Sequence, residues 1–179
     1  MKTMLQSLRM LILLTVLTGL FYPILITVLA GTCFHDKATG SLISKHNTVI
    51  GSSLLAQKCE KEDLFWPRPS GCDYGTLPSG ASNLGPTSAA LAKALDDRRK
   101  QFGENAPVDL LTASGSGLDP HISPEAAIFQ IERIAKARNC PASKLEEMVH
   151  AHTETPQFGF LGSARVNVFA LNIALNQLQ

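Results

Sequence analysis

The run from Met10 to Ala30, M-L-I-L-L-T-V-L-T-G-L-F-Y-P-I-L-I-T-V-L-A, holds no charged residue. A chain crossing a bilayer must satisfy its backbone N–H and C=O groups internally, and a helix of roughly 20 apolar residues does so across the hydrocarbon core. The run has that length, so one membrane-spanning helix near the N-terminus is the first expectation.

Lys2 and Arg9 precede the run with no acidic residue to offset them. Positive flanks stay cytoplasmic, and large domains cross largely regardless of their charge. The expected topology is a cytoplasmic tip and span over residues 1–32, then one extracytoplasmic domain over residues 33–179. A secretory signal is the rival, because Val28 and Ala30 supply a small-residue cleavage pattern; against it, the run exceeds the roughly 7 to 15 residues of a signal core and carries Pro23 in its middle. Lipidation at Cys33 fits less well still, since Thr32 separates it from Gly31.

Within the span, Thr15, Thr18, Gly19, Tyr22, Pro23 and Ile26 recur at steps of three, one, three, one and three. They form a stripe of small, polar and kink-forming side chains. Small residues let helices approach closely in lipid and hydroxyls can bond across the contact, so the stripe is expected to face a protein partner. The competing reading has the threonines bond to their own helix while Pro23 merely kinks it.

Removing the anchor from 179 residues leaves the length of one ordinary domain. The net charge is +1 and the basic residues are scattered, which argues against nucleic-acid binding. Arg98, Arg99 and Lys100 come at the end of an expected helix, where cations suit the macrodipole. The four cysteines, Cys33, Cys59, Cys72 and Cys140, lack paired metal-ligand spacing, so no metal is expected. In an oxidising compartment Cys59 and Cys72 can close a loop worth about 3 kcal/mol; otherwise both stay free thiols.

Past the anchor, G-S-L-I-S and N-T-V-I-G-S-S-L-L-A-Q, separated by Lys45, His46 and Asn47, predict a β-hairpin. The stretch from Phe65 to Pro86 is too rich in Pro, Gly and Ser for regular structure and predicts a long ordered or functional loop around Trp66. Residues 88–102 predict a helix capped by Thr87, and P-V-D-L-L-T-A-S a buried strand. The next helix is well marked. Ser123 caps it, Pro124 and Glu125 start it, Glu132 and Lys136 pair along it, and Ile128, Ile131, Ile134 and Ala135 form its inner face. Ser143 to Glu146 reads as a capping box opening a shorter helix with Leu145, Met148, Val149 and His152 inward. In the tail, Asn167 as N-cap and Val168, Leu171, Leu175 and Leu178 favour a helix over a strand. The fold class is α+β.

Two constellations invite a chemical reading. Ser114, Ser116, Asp119 and His121 share one short segment, but a serine hydrolase brings its partners from distant segments, so turn and cap roles are expected instead. His150, His152 and Glu154 form H-x-H-x-E, yet residues two apart on a helix face different ways. No catalytic residue is assigned. Neither nucleotide fingerprint, G-x-x-x-x-G-K-[ST] or G-x-G-x-x-G, occurs. Leu77 to Ala81, L-P-S-G-A, is only distantly similar to the Leu-Ser-Gly-Gly signature of ABC transporters.

Taken together, F-W-P-R-P-S, S-G-A-S-N-L-G-P-T, A-S-G-S-G-L-D-P-H-I-S-P-E-A-A and R-V-N-V-F-A-L-N-I-A-L resemble the KdpC family, the C subunits of the Kdp potassium-transporting P-type ATPases. The resemblance runs from the anchor to the C-terminus. It implies a single-pass protein of the bacterial inner membrane, without catalytic residues of its own, in a high-affinity potassium uptake complex. Implied partners are a potassium-translocating subunit, a P-type ATPase subunit and a small membrane subunit, besides membrane lipid. It also implies a catalytic chaperone that raises the pump subunit's affinity for ATP, with no stably bound cofactor. That role conflicts with an outside domain, and Ala81 follows Gly80 where the family has a Gly-Gly pair. A cap or gatekeeper at the ion entrance, with no nucleotide role, is the alternative implied by topology.

Overall fold

The computed structural model describes residues 2–45 and 47–178. His46, expected between the hairpin strands, lies outside the described residues. The chain divides into two compact units, Met1–Ser52 and Ser53–Gln179.

In the first unit, α1 (Lys2–Val16), a wide π-type turn (Leu17–Phe21) and α2 (Tyr22–Cys33) form one continuous apolar helix of 32 residues. It is long and apolar enough to cross a membrane, and no side chain along it is buried. After the short α3 (His35–Ala38), β1 (Leu42–Lys45) pairs antiparallel with β2 (Thr48–Ser52), with Leu42 opposite Ser52 and a bulge between Ile43 and Ser44. The expected hairpin is present, its second strand ending before Leu54.

The second unit begins with a long irregular segment; between Ser53 and Ser88 no helix or strand forms among the described residues. Helix α4 (Ala89–Phe102) follows, with Ser88 rather than Thr87 at its N-cap. The expected strand at P-V-D-L-L is instead one helical turn, α5 (Val108–Leu111). Pro107 has no N–H for a ladder, while its carbonyl accepts from Leu110 N–H at 3.0 Å and that of Val108 accepts from Thr112 N–H at 2.8 Å. Both leucines are buried, and apolarity alone does not separate a short strand from a buried turn.

Next come β3 (His121–Ile122), α6 (Pro124–Arg138), α7 (Ala142–Ala151), β4 (Thr153–Glu154), β5 (Arg165–Asn167) and α8 (Val168–Leu175). The three strands form an antiparallel sheet in the order β3-β5-β4, with Val166 opposite both Ile122 and Thr153. The tail is therefore a short strand turning directly into the expected helix. Asn167 caps it, its side-chain oxygen accepting from Ala170 N–H at 3.1 Å.

Helix α6 starts as its sequence indicates: Ser123 accepts from Ala126 N–H at 3.2 Å, Pro124 stands in the first turn, and Glu132 meets Lys136 at 2.8 Å. Its inner face is rotated from the expected one. Ala126, Ala127, Gln130, Ile131 and Ile134 are buried, whereas Ile128 is 39 % exposed. A polar residue replaces an isoleucine inside because the Gln130 amide has backbone partners there, described below. The capping box at Ser143 does not form, since Pro141 is the N-cap and Ser143 already lies in the first turn of α7. The expected inward residues Leu145, Met148 and Val149 are buried. With Phe65, Leu110, Ile122, Ile134, Val166, Leu171 and Leu175 they make one hydrophobic core.

Candidate functional site

The long apolar helix carries the residues expected to meet a partner. Pro23 lacks an N–H, and in a regular helix its ring would meet the carbonyl of Gly19. The wide turn over Leu17–Phe21 relieves this, with Tyr22 N–H reaching back to Leu17 C=O. One extra residue in that turn steps the stripe: Tyr22, Pro23 and Ile26 are offset from Thr15 and Thr18 by about 100° of rotation. The Thr18 hydroxyl donates to Leu14 C=O at 2.7 Å and Thr27 to Pro23 C=O at 2.7 Å, so these hydroxyls are satisfied within the helix. A Cβ added at Gly19 would point into open space, and Tyr22, three residues on, is exposed.

In the second unit the F-W-P-R-P-S loop is pinned to the helices. Trp66 N–H donates to Gln130 Oε1 at 2.8 Å, and Gln130 Nε2 returns a bond to Trp66 C=O at 3.1 Å. The Trp66 ring lies 4.3 Å from the Arg133 guanidinium and edge-on to Phe102. Arg133 donates to the carbonyls of Glu62 and Leu64. This fixes the segment leading to Arg68.

Arg68 occupies the wall of a cleft of about 770 Å³, whose other side is the loop between β4 and β5. Its guanidinium stands 4.0 Å from Asp109 Oδ1 and 4.0 Å from Asp119 Oδ2 and donates to Thr112 Oγ1 at 3.3 Å. Both carboxylates also hold backbone. Asp109 accepts from Ser123 N–H at 2.7 Å, where the chain enters α6, and Asp119 accepts from His121 N–H at 3.0 Å, with His121 Nδ1 3.2 Å away. Arg68 was not singled out by sequence reasoning; an arginine between two prolines, held in a loop, was the signal that could have found it.

The Ser114 to His121 segment plays turn and cap roles. Ser114 is buried with its N–H on Pro69 C=O at 2.9 Å, and the Ser116 hydroxyl accepts from Leu118 N–H at 3.1 Å. Neither serine hydrogen-bonds His121 among the described residues. Gly117, at φ 74°, is required by packing: a Cβ there would stand 2.6 Å from Cys72 Sγ and 2.8 Å from Gly80 C=O. His150 is exposed, His152 Nδ1 lies 2.9 Å from Met148 C=O, and Glu154 pairs with Arg165 at 2.9 Å. These three do not converge, and no group of metal-ligating side chains gathers among the described residues.

The basic cluster is spent on structure. Arg98 donates to Leu111 C=O at 2.6 Å, Arg99 faces Asp96 and Lys100 faces Asp97. Cys59 and Cys72 are free thiols rather than a bridge. Burial pushes the Cys59 thiol up, whereas the Ser70 hydroxyl, 3.3 Å from its sulfur, draws Cys72 down.

Comparison with known proteins places this architecture. A family model described as "KdpC: K+-transporting ATPase, c chain" matches residues 4–177. The chain is 45% identical over 174 residues to the potassium-transporting ATPase KdpC subunit of Cereibacter sphaeroides, covering 95% of this chain and 94% of that protein. It is 46% identical over 183 residues to the corresponding subunit of Methylococcus capsulatus, covering 97% and 96%. The Geobacter sulfurreducens subunit is 44% identical over 187 residues, at 99% of each. From the apolar helix to the Asn167-capped tail, the chain belongs to the KdpC family, the C subunits of the potassium-transporting ATPase.

Proposed function

We propose that this chain is a non-catalytic accessory subunit of a high-affinity ATP-driven potassium uptake complex. Its helix packs in the inner membrane against the potassium-translocating subunit, through Thr15 before the wide turn, Thr18 and Gly19 within it, and Tyr22 and Pro23 after it. The P-type ATPase subunit and the small membrane subunit complete the assembly. The folded domain lies on the periplasmic side at the ion entrance, where it stabilises the complex and caps the mouth. The observation that carries this reading is the Lys2–Cys33 helix, apolar and unburied, with open space at Gly19 within its irregular turn. Such a surface gains most from close helix packing in lipid.

The second reading is the catalytic chaperone for ATP. A helix N-terminus is the usual cradle for phosphate, and at α6 the Asp109 carboxylate already stands against the entering backbone. That favours the assembly role. Protease added to intact spheroplasts tests the topology: the domain is cut if periplasmic and spared if cytoplasmic. A complex lacking residues 53–179 should assemble poorly or fail to transport at low potassium. Normal assembly and pumping by that truncation would refute the accessory role.

A further inference from the structure

The residues joining β4 to β5, Thr155 to Ala164, carry no charge and form a tight secondary hairpin. Gln157 N–H donates to Leu161 C=O at 3.0 Å, and Leu161 N–H returns to Gln157 C=O at 2.9 Å. Phe160 N–H also reaches Gln157 C=O, at 3.3 Å, closing a turn whose central residues Phe158 and Gly159 have φ of 54° and 81°. Two successive positive φ values are the pattern of a type I′ turn, whose first central position favours Asn, Asp or Gly. A bulky aromatic is strained there. Packing returns nothing for that strain, because Phe158 is 86 % exposed, Phe160 76 % and Leu161 50 %. The base of the hairpin is firm: Val166 is fully buried in the sheet and Glu154 pairs with Arg165 across the stem.

We propose that Phe158 and Phe160 form a rigid aromatic knob that seats in an uncharged, apolar socket on another subunit of the potassium-transporting complex. The inference rests on the accessory-subunit reading above. The exposed area of Phe158, Phe160 and Leu161 is on the order of 400 Å², well short of the roughly 800 Å² per partner of a stable free-standing pair. A second copy of this chain is thus not held by the knob alone. In a complex already tethered by a membrane helix the same contact is intramolecular and needs far less area. Lipid is the poorer occupant, because membrane-interface anchors rely on Trp, Tyr and basic residues and this loop has none.

The whole complex, purified with Phe158→Asn and Phe160→Ser in this chain, tests the proposal. Asn suits the turn, so the chain should melt no lower than wild type; should the double variant melt lower, Phe158→Asn alone carries the test. Retention of the other subunits through a detergent wash is expected to fall on the order of tenfold, and a photo-cross-linker at position 158 should join another subunit. Retention within twofold of wild type, or adducts only with lipid or with a second copy of this chain, would overturn it. Deleting residues 53–179 separates the two readings: if the deletion weakens retention and the knob variant does not, only the knob is refuted, and if neither does, both are.

Discussion

Asn172, on α8, grips the backbone of Phe65 from both sides: Phe65 N–H donates to Asn172 Oδ1 at 2.8 Å and Asn172 Nδ2 donates to Phe65 C=O at 2.9 Å. The Phe65 ring is fully buried, so neither backbone group has water as a substitute. Replacing Asn172 with Leu should cost about 2–4 kcal/mol, because a buried donor and a buried acceptor both lose their partner. Asn172→Asp keeps the acceptor but sets a carboxylate oxygen, which cannot donate, against Phe65 C=O, and should also destabilise. Urea unfolding of the detergent-solubilised chain measures both, and an unchanged midpoint for the leucine variant would contradict the role given to this amide.

Gly19→Leu tests the proposed docking point on the apolar helix. Beyond the helix's own local backbone, a Cβ there meets open space, so the substitution acts on whatever packs outside. Recovery of the other subunits with this chain should drop several-fold. Undiminished co-purification would count against Gly19 as a docking point.

Tyr74 predicts an alkaline loss of stability. Its hydroxyl donates to Arg68 C=O at 2.9 Å, and burial, followed by the charge of Asp73, pushes its pKa up from 10.0 to about 12. The folded state thus favours the neutral phenol. Its stabilisation is whole below the unfolded value near 10 and is lost as pH rises towards about 12. Tyr74→Phe should flatten the stability profile over that interval, as read by urea unfolding at about pH 9 to 12. A variant with the same profile as the parent would mean that Tyr74 ionises freely.

The thiols give a direct count. Cys72 Sγ faces Ser70 Oγ at 3.3 Å and Gly75 C=O at 3.4 Å, and all four cysteines are free. Denatured, unreduced protein should titrate as four thiols; two would show that Cys59 and Cys72, or another pair, are bridged.

Much of the architecture was legible because its causes are local. An uninterrupted apolar run marked the span, Ser123 with Pro124 marked the start of α6, and Asn167 marked the cap of α8; each signal acts within about one helical turn. The long motifs from Phe65 to Leu175 carried the family in the same way, as residues in order along the chain. Only the tertiary structure decided the rest. P-V-D-L-L became a turn rather than a strand, with Pro107 lacking a ladder donor and its carbonyl closing the turn on Leu110 N–H. Gln130 displaced Ile128 from the inner face because the partner of its amide is Trp66, 64 positions away. Arg68 between Asp109 and Asp119, and the two phenylalanines held outward by a strained turn, depend on where distant backbone is placed. Propensity and capping are fixed by neighbours in sequence, whereas the partner of a buried polar group is fixed by the fold as a whole.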